Sequence, residues 1–322
     1  MAAMFANPPT VAWVVFNTVI LGILALDLGV FHHKPREIRT VEALWTSGAY
    51  VALALLFNAW VYFEFGHDVA LDFLTGYFIE YALSLDNILV FVVILAYFKV
   101  PPQSQMRVLL WAIIGAVALR GIFIFAGIAL IEAFEWMVIV LGAFLIATGI
   151  KTMVSGDETA DLRKSRTVRL IRRFVPLTED YHGEKFFTRR ETGAAVATPL
   201  FLVFVVLSVT DVIFAFDSIP AVFAITRDPF IVYTSNVFAV LGLRALYFAL
   251  AGMVDKFRYL RFGLSLVLIF IGIKMIYNYL PDWPDIPTSW ALGVTAVLIF
   301  GSILASLIRN RMDEKSEAST GQ

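Results

Sequence analysis

A chain of 322 residues with 60% hydrophobic and 16% charged side chains, against roughly 25% charged in soluble domains, has too few charges to cover a water-exposed surface. A soluble globular protein is thereby excluded, and the absence of cysteine removes disulfides, thiolate ligands and dithiol chemistry. The net charge of −1 favours no acidic or basic partner; a lipid bilayer is expected and nucleic acid is not.

The apolar residues come in blocks long enough to cross a membrane, which takes about 20 residues per helix. Their apolar character on all faces predicts helices, since barrel strands would alternate. In chain order the predicted spans are 10–31, 41–63, 70–98, 106–130, 133–154, 197–225, 231–253, 260–280 and 286–308. The fold class is therefore an all-α membrane protein of about nine transmembrane helices. Residues 1–26 carry no charge, so the first span lacks the positive flank of a cleavable signal peptide. Pro101, Pro102, Pro229, Pro281, Pro284 and Pro287 fall between blocks, where a missing backbone donor costs least.

Lys and Arg orient the spans. Segments 31–42, 99–107, 155–196, 254–261 and the C-terminal tail hold 20 of the 25 basic residues. Placed on one side, they leave only Arg227 opposite and four basic residues within spans. The positive-inside rule then predicts an outside N-terminus and a cytoplasmic C-terminus. The opposite loops carry Glu64, Asp68, Glu132, Glu135, Asp228, Asp282 and Asp285, an acidic face that would concentrate cations. In the long loop, Arg163, Lys164, Arg166, Arg169, Arg172 and Arg173 read first as positive-inside charge and second as a headgroup-binding stripe. The same loop holds Glu179, Asp180, His182 and Glu184, a weaker set for metal capture.

The two sides of this loop repeat each other. Glu80 to Ile88 matches Asp211 to Ile219, acid for acid, with Asp86-Asn87 answering Asp217-Ser218. Arg120 answers Arg244 and Gly149-Ile-Lys151 answers Gly272-Ile-Lys274, at offsets of 131, 131, 124 and 123 residues. Each unit has three predicted spans, an odd number, so the second must be inverted, as in many secondary transporters. The organisation is a two-helix segment (1–69), a first three-helix unit (70–154), a basic cytoplasmic loop (155–196), a second, inverted unit (197–280), a last span (281–308) and a disordered polar tail (309–322).

Five acids are counted inside spans: Asp27, Glu80, Asp86, Asp211 and Asp217. Each costs at least ~2.5–3.5 kcal/mol at the bilayer centre and needs a partner. Arg120 and Arg244 lie too deep to reach water and are candidate ion-pair or gating residues, with Asn236; Lys151 and Lys274 sit nearer helix ends and are expected to snorkel. Two arginines leave an excess of carboxylate, which favours a cation. Six residues turn Glu80 and Asp86 about 240° apart and ~9 Å along one helix. Either the two acids have different roles, or the helix is interrupted between them. Pro220 supplies a reason for a break beside Asp217, since it frees the carbonyl of Phe216. Carboxylates, amides and hydroxyls suit Mg²⁺, Ca²⁺ or Mn²⁺, not the softer metals. With no nucleophile–base pair, phosphate loop or cofactor fingerprint, neither an enzyme nor a resident cofactor is expected.

Ala25-Leu-Asp27-Leu, Leu74-Thr-Gly76 through Glu80, Ser84-Leu-Asp86-Asn87, Thr210-Asp211 through Pro220, Thr234-Ser-Asn236 and Leu241-Gly-Leu-Arg244 resemble the TerC/Alx family of integral membrane proteins, over about residues 20–305. The resemblance implies a Mn²⁺ exporter of the bacterial inner membrane with a proton antiport, and a historical link to tellurium resistance. The metal is cargo, not cofactor. The family's acidic positions fall on Asp27, Glu80, Asp86, Asp211 and Asp217, with Asn87 and Ser218 beside them. Asp86 and Asp217 become primary ligands, Glu80 and Asp211 secondary ligands or proton sites, and Asp27 a supporting carboxylate. One position departs: the family pattern has Glu three residues before the acid at 211, and Ser208 stands here. The rival readings are a Ca²⁺ or Ca²⁺/Mn²⁺ exchanger, a non-transporting scaffold for metal or tellurite resistance, and, least favoured, a tellurite path. No protein partner is indicated.

Overall fold

The computed structural model describes residues 10–31, 40–154, 175–189, 195–251, 257–281 and 283–320. The basic stretch from Arg163 to Arg173 and the side chain of Asp27 lie outside the described residues. The described chain forms nine helices: α1 (Thr10–Phe31), α2 (Thr40–Phe65), α3 (His67–Tyr97), α4 (Pro102–Ala133), α5 (Met137–Val154), α6 (Pro199–Phe223), α7 (Pro229–Leu250), α8 (Leu260–Tyr277) and α9 (Thr288–Thr320). Eight of them, α2 to α9, are long and apolar enough to cross a membrane, and α1 adds a shorter apolar stretch. The expected nine-helix architecture stands.

Helix starts follow local chemistry. Pro102, Pro199 and Pro229 open α4, α6 and α7, where the missing N–H is one that no intrahelical bond would use. Asp228 caps α7, accepting from the amides of Phe230 and Ile231 at 2.8 and 3.1 Å, as a capping carboxylate should. Between α5 and α6 a short antiparallel pair forms, β1 (Phe187–Arg189) and β2 (Ala195–Ala197). This segment docks on the α3–α4 turn: Tyr181 donates to the Phe98 carbonyl at 2.7 Å, and Arg107 pairs with Glu184 at 3.2 Å.

Two expectations are corrected. The tail is not disordered where it is described: α9 continues to Thr320. No proline or glycine falls between Arg309 and Thr320, and Arg309 pairs with Asp313 one turn on at 3.2 Å, the helical spacing that supports an exposed turn. Pro220 does not break α6, which runs unbroken to Phe223. It sits in the last turn, where the helix is about to end and the lost bond disrupts little.

The two three-helix units, α3–α5 and α6–α8, pack by exchanging equivalent contacts. A Cβ on Gly149 would lie 2.8 Å from the Ser265 carbonyl and 2.7 Å from Ile269; one on Gly272 would lie 2.6 Å from the Gly142 carbonyl and 2.8 Å from Ile146. Gly149 and Gly272 correspond at the 123-residue offset, as do Gly142 with Ser265 and Ile146 with Ile269. The pairing of 142 with 272 and 149 with 265 makes α5 and α8 antiparallel. Gly76 meets Ser235 and Gly242 meets Tyr81, so α3 and α7 run parallel; Gly115 meets Ser208 and Gly127 meets Phe223, so α4 and α6 do too. Corresponding helices of the two units thus run in opposite senses. The described loop residues separate into a basic end (98–101, 175–189, 195–198, 251 and 257–259) and an acidic end (134–136, 224–228, 278–281 and 283–287), with α7 enclosed at the centre.

Candidate functional site

Helix geometry divides the four acids of α3 and α6 into two groups. Glu80 and Asp211 turn toward α4 and meet Arg120, which is 1% exposed. Arg120 forms an ion pair with Glu80, and its Nε and Nη2 reach the two Asp211 oxygens at 3.3 and 3.1 Å. Its Nη1 also donates to Asn236 Oδ1 at 3.0 Å and to Ser218 Oγ at 3.4 Å. The fork of the guanidinium suits this role, because a planar cation with five donors can hold two carboxylates at once. The group carries two negative charges and one positive.

Asp86 and Asp217, six residues further along their helices, turn instead into a cavity of ≈300 Å³ between α3, α5, α6 and α8. Asn87 and Ser218 line it beside them, with Thr148, Lys151 and Thr152 from α5 and Arg261 from α8; Leu83, Val90, Phe214, Leu264 and Leu268 complete the wall. Thr148 hydrogen-bonds the Asp217 carboxylate, Lys151 lies within Coulombic reach of Asp217, and Arg261 does so for Asp86. Ser218 touches both groups, so the Arg120 cluster adjoins the cavity. The first of the two alternatives left by the 240° spacing therefore holds: unbroken helices aim the paired acids at different partners.

Sequence reasoning missed the basic half of this cavity. Lys151 is exposed in the last turn of α5, in keeping with the expected snorkelling, and Arg261 was read as loop charge; both also line the cavity. The signal was present: Thr148, Lys151 and Thr152 are spaced three and four apart and share a helical face. Lys274 does not snorkel. It is 3% exposed and donates to the Ala224 carbonyl at 2.9 Å. Asp72, not counted among the membrane acids, accepts from Thr288 at 2.9 Å. Of the remaining candidates, Arg244 is buried on α7 and Asp27 lies on α1. Among the described residues no three His, Asp or Glu side chains gather into a metal cage, so an ion in the cavity would have two carboxylates completed by amide, hydroxyl or water oxygens.

The profile of the integral membrane protein TerC family matches residues 65–314, which covers both units, the Arg120 cluster and the cavity. The chain belongs to the TerC family. An uncharacterized membrane protein of Myxococcus xanthus is 47% identical over 306 residues, 95% of each chain. Proteins named "Putative membrane-bound redox modulator Alx" are similar too. That of Salmonella typhi is 41% identical over 95% of this chain and 97% of its own, and that of Escherichia coli K12 is 41% identical over 94% and 96%. No solved structure matches.

Proposed function

We propose that this TerC-family protein is a secondary transporter that exports Mn²⁺ across the bacterial inner membrane in exchange for protons, holding the ion between Asp86, Asn87, Asp217 and Ser218. One observation carries the reading: the repeated acid–amide and acid–hydroxyl pairs of α3 and α6 meet in one cavity between oppositely directed units. Midplane sites at a repeat interface are how secondary transporters bind ions. The donors are all oxygen, which favours Mn²⁺, Mg²⁺ or Ca²⁺. The cavity lies toward the basic end, which the positive-inside rule assigns to the cytoplasm, with the N-terminus outside; a site within reach of the cytoplasm is what export requires. Lys151 and Arg261 offset the two carboxylates when no ion is bound, so a divalent ion brings two surplus charges. Lys151 is the group in the cavity that could offset one of them, by giving up a proton or by swinging out of the site. Relatives carry a name that speaks of redox modulation, but this chain has no cysteine. A redox role here would act through the metal moved, not through a thiol.

The test is Mn²⁺ flux into proteoliposomes carrying the purified full chain, with and without a pH gradient. Asp86→Asn and Asp217→Asn should each reduce the flux at least about tenfold, the loss of one charge-assisted contact worth ~1.5–3 kcal/mol. Flux at the parent's level in both variants would sink the assignment. Preference of Ca²⁺ over Mn²⁺ in competition would move the cargo to Ca²⁺. A parent that carries neither ion would leave the scaffold reading.

A further inference from the structure

The two units place one lysine each in two cavities at opposite ends of the bundle. Lys151, in the last turn of α5, lines the basic-end cavity with Asp217. Its counterpart Lys274, in the last turn of α8, lines an acidic-end cavity of ≈570 Å³ with Glu135, Thr226, Arg227, Asp285 and Thr288. The helix α6 joins the two: Asp217 and Ser218 face the first, and Phe223 to Thr226 face the second. Between them in the chain Ile219, Pro220, Ala221 and Val222 are buried.

The repeat gives this arrangement a direction. Asp217 is the counterpart of Asp86, and Lys151 of Lys274. If the two units exchange conformations, Lys274 comes to face Asp86 as Lys151 now faces Asp217, and the acidic-end cavity deepens to the carboxylates. An empty pair of carboxylates in a low-dielectric site needs a counter-charge. A lysine supplies one that can withdraw on its four-carbon stem when an ion enters, and Lys151 is exposed enough to do so. Arg261 has no such counterpart, since Val138 stands at the matching position. Of the two cavities it lines only the basic-end one, where it adds a fixed counter-charge beside Lys151.

We propose that Lys151 is a tethered counter-cation, which occupies the emptied site and holds the protein open to the basic end, and that Lys274 takes this part in the conformation open to the acidic end. The proposal rests on the cavity being the transport site, and adds to that reading the residues that compete with the ion and select which side is open.

The natural lack of cysteine allows a test that does not depend on the cargo. Thr152→Cys reports the basic-end cavity and Ile225→Cys the acidic-end one, through their rates of labelling by a small maleimide in metal-free membranes. Lys151→Gln should slow labelling at 152 and speed it at 225 by several-fold. Lys274→Gln should do the reverse, and Lys151→Arg should restore the parent's rates. Rates that do not move, or that move in the same direction at both positions, overturn the proposal. In Mn²⁺ flux, Lys151→Gln should lower KM about tenfold, or ~1.4 kcal/mol, while slowing turnover, because the ion loses its competitor for Asp217. An unchanged or raised KM at full turnover overturns it as well. A parent without Mn²⁺ flux sinks only the choice of ion, since the labelling rates still decide the role of the lysines.

Discussion

Arg120→Met tests the reading that α3, α4 and α6 are joined by charge. Arg120 is buried, ion-paired with Glu80 and Asp211, and bonded to Asn236 and Ser218. Breaking a buried pair by removing one partner costs about 3–5 kcal/mol, because the other charge stays behind. Here two carboxylates stay behind, so the upper half of that range applies. An unfolding entropy of about 2.1 cal/mol/K per residue makes 1 kcal/mol worth roughly 1.5 °C in a chain of this length, which puts the loss on the order of 6–8 °C. Intrinsic fluorescence of the seven tryptophans, followed during heating in mild detergent, measures it. Glu80→Gln should be milder, because it leaves one carboxylate against one guanidinium. The triple variant Glu80→Gln/Arg120→Met/Asp211→Asn should recover at least half of the loss, since a neutral replacement of a buried triad is often close to neutral in stability. An Arg120→Met protein that melts within about 2 °C of the parent, or a triple variant that melts as low as the single one, would refute the charge argument.

Gly149→Ala and Gly272→Ala should destabilise by similar amounts, about 1–3 kcal/mol each, as overpacking does, because each Cβ would press on a carbonyl at 2.8 or 2.6 Å. Melting in the same detergent checks this, and a difference above about 2 kcal/mol between the two, the full width of that range, would deny their equivalence. The hydroxyl of Tyr181, in the docked loop, donates to the Phe98 carbonyl, and burial pushes its pKa up to about 12. The unfolded value is near 10, so the folded state favours the neutral phenol. Its contribution is complete below about pH 10 and is lost as pH rises toward 12. The melting difference between the parent and Tyr181→Phe should therefore be constant up to about pH 10 and shrink above it; a difference that grows with pH contradicts this.

Much of the fold was legible because the bilayer demands it. Spans, the basic and acidic ends and the two units follow from apolar length, Lys/Arg placement and four charged positions repeated in order. Less of the site was legible, for two physical reasons. A repeat says which residues are equivalent but not which neighbour each one takes: Asp211 pairs with Arg120 of the other unit, a choice made by helix packing. Charge near a helix end is also ambiguous, since Lys151 and Lys274 have the same sequence context, yet one is exposed and the other is 3% exposed against the Ala224 carbonyl. Pro220 misled for a related reason. A proline costs a helix little in its final turn, and the distance from Pro220 to the helix end was not readable from hydropathy, which continues to Ile225.

The division of the acids also relocates the consequence of Ser208. Its hydroxyl donates to the Phe204 carbonyl at 2.9 Å, and it faces Gly115 of α4. It does not line the cavity of Asp86 and Asp217. A glutamate at this place would stand one turn before Asp211 on the face toward α4, where it would add to the two carboxylates gathered around Arg120. With serine there, one guanidinium opposes two carboxylates; with glutamate it would oppose three. The departure from the family pattern therefore changes the charge held between α4 and α6, next to the ion cavity through Ser218, while leaving the cavity's own oxygens as they are. Under the proposed transport reading, affinity for the ion depends on Asp86 and Asp217, and the charge beside them on residue 208.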